Sequence, residues 1–211
     1  MKKNKLVIFD FCDTLINFQT GNRFLNWTYQ TYYNKKNKES LFVKIFKRYP
    51  FSIFFNYKKY LARQIKWIPI KFINEKIEDF IKILNDNQNE KVVDLMKKHI
   101  EEWNKVIIIS AWFGDYIRIR AKQFWVNEVF STELEKTKWV YTWNFKSWID
   151  IIWKNKVKTL KNNYDIWKYK DIIVYSDSLS DLPLFNIATE KYFVCKNNDK
   201  KVPKWFISIY K

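Results

Sequence analysis

Asp10 closes the apolar run Leu6-Val7-Ile8-Phe9 and opens the segment Asp10-Phe11-Cys12-Asp13-Thr14-Leu15. A carboxylate directly after a buried parallel strand lies where open α/β sheets bind ligands. Asp10 can serve there as a nucleophile or a metal ligand. Asp10 and Asp13 fit a turn or helix cap equally well, because short acidic side chains bond nearby backbone amides. A second carboxylate pair stands in Tyr175-Ser176-Asp177-Ser178-Leu179-Ser180-Asp181-Leu182-Pro183. Asp177 again follows an apolar run, and Asp181 lies one helical turn later. Mg2+ prefers a few carboxylates with phosphate and water oxygens, and adjacent strand tips would bring Asp10 and Asp177 around such an ion. The plainer role for Asp181 is a helix N-cap or first-turn acid.

Two further positions complete the set. Ser110-Ala111 follows Val106-Ile107-Ile108-Ile109 and offers a hydroxyl and backbone amides that can hold a phosphoryl oxygen. Asn155-Lys156-Val157-Lys158-Thr159-Leu160 opens a helix with Lys156 near its start, where a fixed ammonium would offset phosphate charge. Taken singly, a serine after a strand is usually a cap, and one lysine among many is usually a solvated one.

The elements that must carry these residues read as α/β. Short apolar runs at residues 6–9, 106–109, 172–175 and 192–194, with a weaker one at 126–130, are expected as buried strands, and helical segments lie between the later ones. The expected fold class is a doubly wound, Rossmann-like parallel sheet. Nearly a hundred residues separate the first two strands, far more than one crossover needs. Helices are expected there at 23–33, 41–46, 52–66, 70–84 and 90–103. The last carries Val92, Val93, Met96, His99, Ile100 and Trp103 at amphipathic spacing. This predicts a helical cap inserted at residues 18–86, with the core formed by residues 1–17 and 87–211. Thr132-Glu133-Leu134 and Trp139-Val140-Tyr141-Thr142-Trp143 are expected to pair as a hairpin.

An aspartate tip, a serine tip, a lysine on a helix and an Asp-Ser-x-x-Asp tip, in that order, resemble the four motifs of the haloacid dehalogenase-like superfamily. The resemblance covers almost the whole chain. The early helical insert and Thr132-Glu133-Leu134-Glu135 look like the phosphoserine-phosphatase-like branch. Carried over by position, the resemblance implies that Asp10 attacks phosphorus and forms an aspartyl-phosphate. It implies Mg2+ held by the Asp10 side chain, the Cys12 carbonyl and the Asp177 side chain, with Asp181 orienting Asp177 and water. Ser110 and the Ala111 amide would bind phosphoryl oxygens, and Lys156 would offset charge on Asp10 and the phosphate. One departure stands out: the family's usual second aspartate, an acid and base, is Cys12 here. A thiol of ordinary pKa near ~8.5 protonates a leaving alkoxide poorly, and a general acid or base is worth about 10²–10⁴ in rate. Asp13 could replace it only if the loop were re-aimed.

Composition narrows the classes. Of 211 residues, 47% are hydrophobic and 29% charged, which supports a core and excludes global disorder. Two glycines and four prolines are too few for a turn-rich β-sandwich. Cys12 and Cys195 alone make no disulfide framework, and the single histidine, His99, excludes a Cys/His zinc site. His99 reads as packing or solvated, and Cys195 as a small core hydrophobe. No apolar stretch reaches the length of a signal or a spanning helix, so the expectation is a cytoplasmic protein, at most peripheral to a membrane.

The net charge of +17 raises nucleic acid or an anionic membrane as partners, although an AT-rich coding bias for lysine gives the same balance. Aromatic and basic residues interleave in Phe42-Val43-Lys44-Ile45-Phe46-Lys47-Arg48-Tyr49 and from Tyr57 to Ile68, as in interfacial helices or single-strand grooves. The leading expectation is a Mg2+-dependent phosphatase of a small phosphorylated substrate, with a lipid or polyprenyl-linked phosphate as the substrate class that a basic, aromatic cap would suit. The alternatives are a catalytically degraded relative that binds a phosphorylated ligand, and a nucleic-acid-binding or end-processing protein.

Overall fold

A computed structural model describes residues 5–34, 54–195 and 202–211. Its strands are β1 (Lys5–Phe9), β2 (Lys105–Phe113), β3 (Val129–Thr132), β4 (Leu134–Lys136), β5 (Tyr141–Phe145), β6 (Asp171–Ser176), β7 (Glu190–Cys195) and β8 (Ile207–Tyr210). Its helices are α1 (Thr20–Tyr33), α2 (Phe54–Ala62), α3 (Ile70–Asn85), α4 (Glu90–Glu101), α5 (Gly114–Gln123), α6 (Lys154–Asn163) and the short α7 (Leu182–Phe185).

Six strands form one sheet in the order β3-β2-β1-β6-β7-β8, every neighbouring pair parallel. Leu6, Val7, Ile8 and Phe9 are all buried, so β1 is covered on both faces, as a central parallel strand must be. Alternate residues feed two apolar clusters. Val7, Phe9, Ile108, Ile173 and Tyr175 face α1, α3, α4 and α5, while Leu6, Ile8, Ile107, Ile172 and Val174 face α6 and α7. The chain winds outward from β1 in both directions, through β2 on one side and β6 on the other. The crevice at the carboxyl ends of β1 and β6 is therefore the switch point where such sheets bind ligands. The doubly wound α/β fold is the one expected.

Several boundaries differ from the sequence reading. β2 runs on to Phe113, because Trp112 and Phe113 are also buried, and its pairing with β3 is irregular between Ser110 and Phe113. Ser110 thus lies in the bulged end of a strand, not just past it. The weak strand at 126–130 is shifted to Val129–Thr132. The helix at 52–66 is α2, followed by a 3-10 turn at Arg63–Ile65. The helix at 41–46 and the segment Phe42 to Tyr49 lie outside the described residues. The hairpin pairs Leu134–Lys136 with Tyr141–Phe145, and Thr132 belongs to β3. β8 was not anticipated: Ile-Ser-Ile-Tyr is four residues long and half exposed at the sheet edge, which leaves little apolar signal.

The early helices do not stand apart from the sheet. Phe24 and Leu25 of α1, Leu61 and Ala62 of α2 and Ile73, Ile77, Phe80, Ile81 and Leu84 of α3 share one apolar cluster with Val7, Phe9 and Phe11. The hairpin joins them: Trp67 N–H donates to Tyr141 O at 3.0 Å, and Ile70 N–H to Trp139 O at 2.9 Å.

Candidate active site

Register alone gathers the predicted residues. Phe9 pairs with Ile108 on one side and Tyr175 on the other, so Asp10, Ser110 and Asp177 emerge at one end of three adjacent strands. Asp10 N–H donates to Tyr175 O at 2.9 Å, which continues the ladder by one residue and fixes the first step of the loop.

Lys156 joins two of the carboxylates. From the first turn of α6 its Nζ donates to Asp10 Oδ1 at 2.8 Å and to Asp181 Oδ2 at 2.7 Å, with all three side chains nearly buried. Burial works against the ammonium, and Asp10 and Asp181 outweigh it, so Lys156 is held above its ordinary pKa and stays charged. Asp181 also accepts from Ser176 Oγ at 2.7 Å. Sequence reasoning quoted Ser176 and Thr14 without giving them roles. Thr14 Oγ1 donates to Asp177 Oδ1 at 3.2 Å and accepts from Asp177 N–H at 3.0 Å, which stitches the β1 loop to the β6 loop. The signal was available, since Thr14 lies four residues past Asp10 in a loop the sheet order places beside Asp177.

The crevice carries more negative charge than Lys156 offsets. Burial raises Asp10 to about 6, with Lys156 opposing and Asp181 adding to the rise. Burial raises Asp177 to about 8, and neighbouring Asp10 and Asp13 add to it. Among the described residues no group of three His, Cys, Asp or Glu side chains forms a closed metal cage. The oxygen donors fit Mg2+ nonetheless. Two carboxylates in need of a cation, with a backbone carbonyl between them in sequence, leave room for the water and phosphate oxygens that Mg2+ retains.

Cys12 turns away from proton-transfer duty. Its Sγ is 2.7 Å from Thr20 Oγ1, which is 2.7 Å from the Tyr116 hydroxyl, all of them buried. Burial and then Asp10 push the thiol well above its ordinary pKa, so it is neutral and a poor acid. Asp13 does not stand in for it. It adopts φ 51° and accepts from Gln19 Nε2 at 2.6 Å and Lys211 Nζ at 3.3 Å.

Ser110 is fully buried, and its Oγ accepts from Trp112 N–H at 3.2 Å. Beside it the sequence reading missed Lys58. From α2 this wholly buried ammonium donates to Ala111 O at 2.5 Å and to Asp150, which also accepts from Thr132 Oγ1 at 2.9 Å. Burial lowers Lys58, opposed by Asp150. In a chain with 39 lysines and arginines, nothing in the sequence singles out this one. His99 is outside the site: its Nε2 is 2.9 Å from the Tyr175 hydroxyl and its ring lies edge-on to Phe9. Cys195 is buried in the second apolar cluster.

A family model for haloacid dehalogenase-like hydrolases matches residues 7–186. No curated protein matches the chain. Among solved structures, a protein of unknown function from Bordetella pertussis Tohama I is 15% identical, with 91% of this chain and 90% of that one covered and a TM-score of 0.77. A substrate-bound phosphoserine phosphatase complex is 19% identical over 92% of this chain and 88% of that one, TM-score 0.70. A phospho-aspartyl intermediate analogue of phosphoserine phosphatase is 20% identical over 92% and 88%, TM-score 0.68. Likeness at this identity is likeness of fold.

Proposed function

The chain belongs to the haloacid dehalogenase-like hydrolases, and on that premise we propose that it is a Mg2+-dependent phosphatase acting on a phosphomonoester through Asp10. The observation that carries this reading is the Lys156 ammonium held between Asp10 and Asp181 at 2.8 and 2.7 Å. A buried cation on the side chain that must approach a phosphate dianion removes the repulsion that would otherwise forbid the attack.

In the proposed reaction a carboxylate oxygen of Asp10 bonds to phosphorus as the ester oxygen leaves with its electron pair. Water then cleaves the aspartyl-phosphate and regenerates the carboxylate. Lys156 orients Asp10 and balances charge in both steps. Asp10, the Cys12 carbonyl and Asp177 would hold Mg2+, with Thr14 fixing Asp177. Bound there, the ion supplies charge neutralisation on the transferring phosphoryl group. Ser110 and the Ala111 amide would receive phosphoryl oxygens, and Lys58 anchors the Ala111 peptide from behind through its carbonyl. With Cys12 neutral and turned toward Thr20, the alkoxide departs without help from the usual acid. Activated esters are therefore better substrates than alkyl esters.

The helices between residues 18 and 86, with the β4–β5 hairpin bonded to them, form the cap over the site in this reading. The reading extends to a lipid or polyprenyl-linked phosphate on the strength of the basic-aromatic run from Tyr57 to Ile68, although Lys58 in that run faces inward. No helix of the described residues is long and apolar enough to cross a membrane. Pelleting with anionic liposomes at low salt tests that extension, and protein left in the supernatant removes it.

Hydrolysis of an aryl phosphate that requires both Mg2+ and Asp10 tests the central reading. Retained Mg2+ binding with no turnover on any ester would favour the degraded, ligand-binding alternative. A steep, salt-sensitive affinity for oligonucleotide would favour the nucleic-acid alternative.

A further inference from the structure

Four tryptophans occupy backbone positions that favour glycine and resist a bulky side chain. Trp67, Trp103, Trp125 and Trp153 have φ of 71°, 61°, 59° and 46°. In this left-handed region the Cβ of an L residue crowds the following carbonyl. Asparagine and aspartate enter it at modest cost, as Asn34 and Asp13 do here, but a bulky residue is an outlier.

Each of three of these positions belongs to a motif with its own residue requirement. After α4, Trp103 N–H donates to Ile100 O at 2.9 Å and Asn104 N–H to His99 O at 3.0 Å. After α5, Trp125 N–H donates to Lys122 O and Val126 N–H to Ala121 O, both at 2.9 Å. These paired bonds define the Schellman helix ending, whose left-handed residue is ordinarily glycine. Before α6, Asn155 N–H donates to Ile152 O at 2.8 Å, closing a turn around Trp153 and Lys154. Trp153, with φ 46° and ψ −123°, holds the first central position of a type II′ turn, which is also a glycine position.

Three of these indoles lie mostly in solvent. Trp67, Trp103 and Trp125 are 63%, 79% and 73% exposed, whereas an indole ordinarily contributes a large buried area. Composition points the same way. Neither of the two glycines has positive φ, so every left-handed position among the described residues carries a side chain. Eleven tryptophans and two glycines together make about 6% of the chain, close to the roughly 7% glycine of an average protein.

We propose that the native protein carries glycine at positions 67, 103, 125 and 153, because the codon written here as tryptophan is read as glycine in the cell that makes it. The exposed indoles at 67, 103 and 125 are then no membrane-facing belt. Position 153 is the residue directly before α6, three positions ahead of Lys156.

Peptide mass spectrometry of the protein purified from its source cells reads the four residues directly and does not depend on folding of any variant. Glycine at all four is the expected result, and tryptophan at any one overturns the proposal. A second measurement compares melting of the chain as written with one carrying Trp67→Gly, Trp103→Gly, Trp125→Gly and Trp153→Gly. The replacement should raise the melting temperature by about 2–4 °C for each relieved position. Trp167→Gly, exposed but without positive φ, should give no rise, because glycine there only adds chain entropy. A fourfold variant that melts at or below the chain as written would also overturn the proposal.

Discussion

Replacing Lys156 by methionine tests the electrostatics of the site. The side chain keeps its length and loses the charge that joins Asp10 Oδ1 and Asp181 Oδ2. All three groups are nearly buried, so solvent cannot take over, and stranding buried charge costs about 3–5 kcal/mol. For a chain of this size that is a fall of roughly 6–20 °C in melting temperature near neutral pH. The loss should shrink on acidification. Lys156 opposes the burial that raises Asp10, so without it Asp10 is protonated at still higher pH and the stranded charge disappears as pH falls. Turnover of an aryl phosphate should drop about 10²–10³-fold, the usual effect of removing one transition-state charge partner. Lys156→Arg should recover part of the stability and less of the rate, since a planar fork cannot reproduce a point charge between two carboxylates. A Lys156→Met variant that melts within about 2 °C of the parent and turns over within a factor of two of it would refute the reasoning.

Three other outcomes follow from the same geometry. Metal-free protein should lose stability as pH rises, because Asp10 and Asp177 are raised to about 6 and about 8 from an ordinary 3.8. Groups raised in the folded state stabilise below their unfolded pKa and lose that contribution as pH passes the folded value. The melting temperature should therefore fall from pH 5 to pH 8.5, Mg2+ should reverse the fall, and an Asp177→Asn variant that melts with the parent's pH profile would contradict it. Thr14→Val removes both bonds to Asp177 and should weaken Mg2+ binding about 10–100-fold by calorimetry while the protein stays folded; unchanged affinity would exclude that role. Cys12→Asp should raise alkyl-ester turnover relative to aryl-ester turnover by up to about 10²–10⁴-fold, and an unchanged ratio would show that the missing acid does not limit the reaction.

The sheet was legible in the sequence because its strands are short, uninterrupted apolar runs buried on both faces, from Leu6 to Phe9 above all. β8 was not legible, since an edge strand exposed on one side needs few apolar residues. The carboxylates were legible because each follows a strand directly, and parallel register then aligns strand ends without further information. Lys58 was not. Its role arises from burial beneath Trp112 and Phe145 and from a carbonyl fifty-three positions away, and neither leaves a local pattern in a lysine-rich chain. The thiol's direction was also invisible: Cys12 stood where an acid was expected, but only packing against Thr20 and Tyr116 shows it facing the core.

The central claim is that Asp10 is the phosphoryl acceptor. The most direct test is hydrolysis of an aryl phosphate with Mg2+ by the parent protein and by Asp10→Asn, with denatured samples of a single turnover analysed for phosphate on the peptide that contains residue 10. The account predicts turnover that disappears with chelator or with Asp10→Asn, and covalent phosphate on Asp10 in the parent alone. Undiminished turnover by Asp10→Asn, or phosphate on another residue, would contradict it.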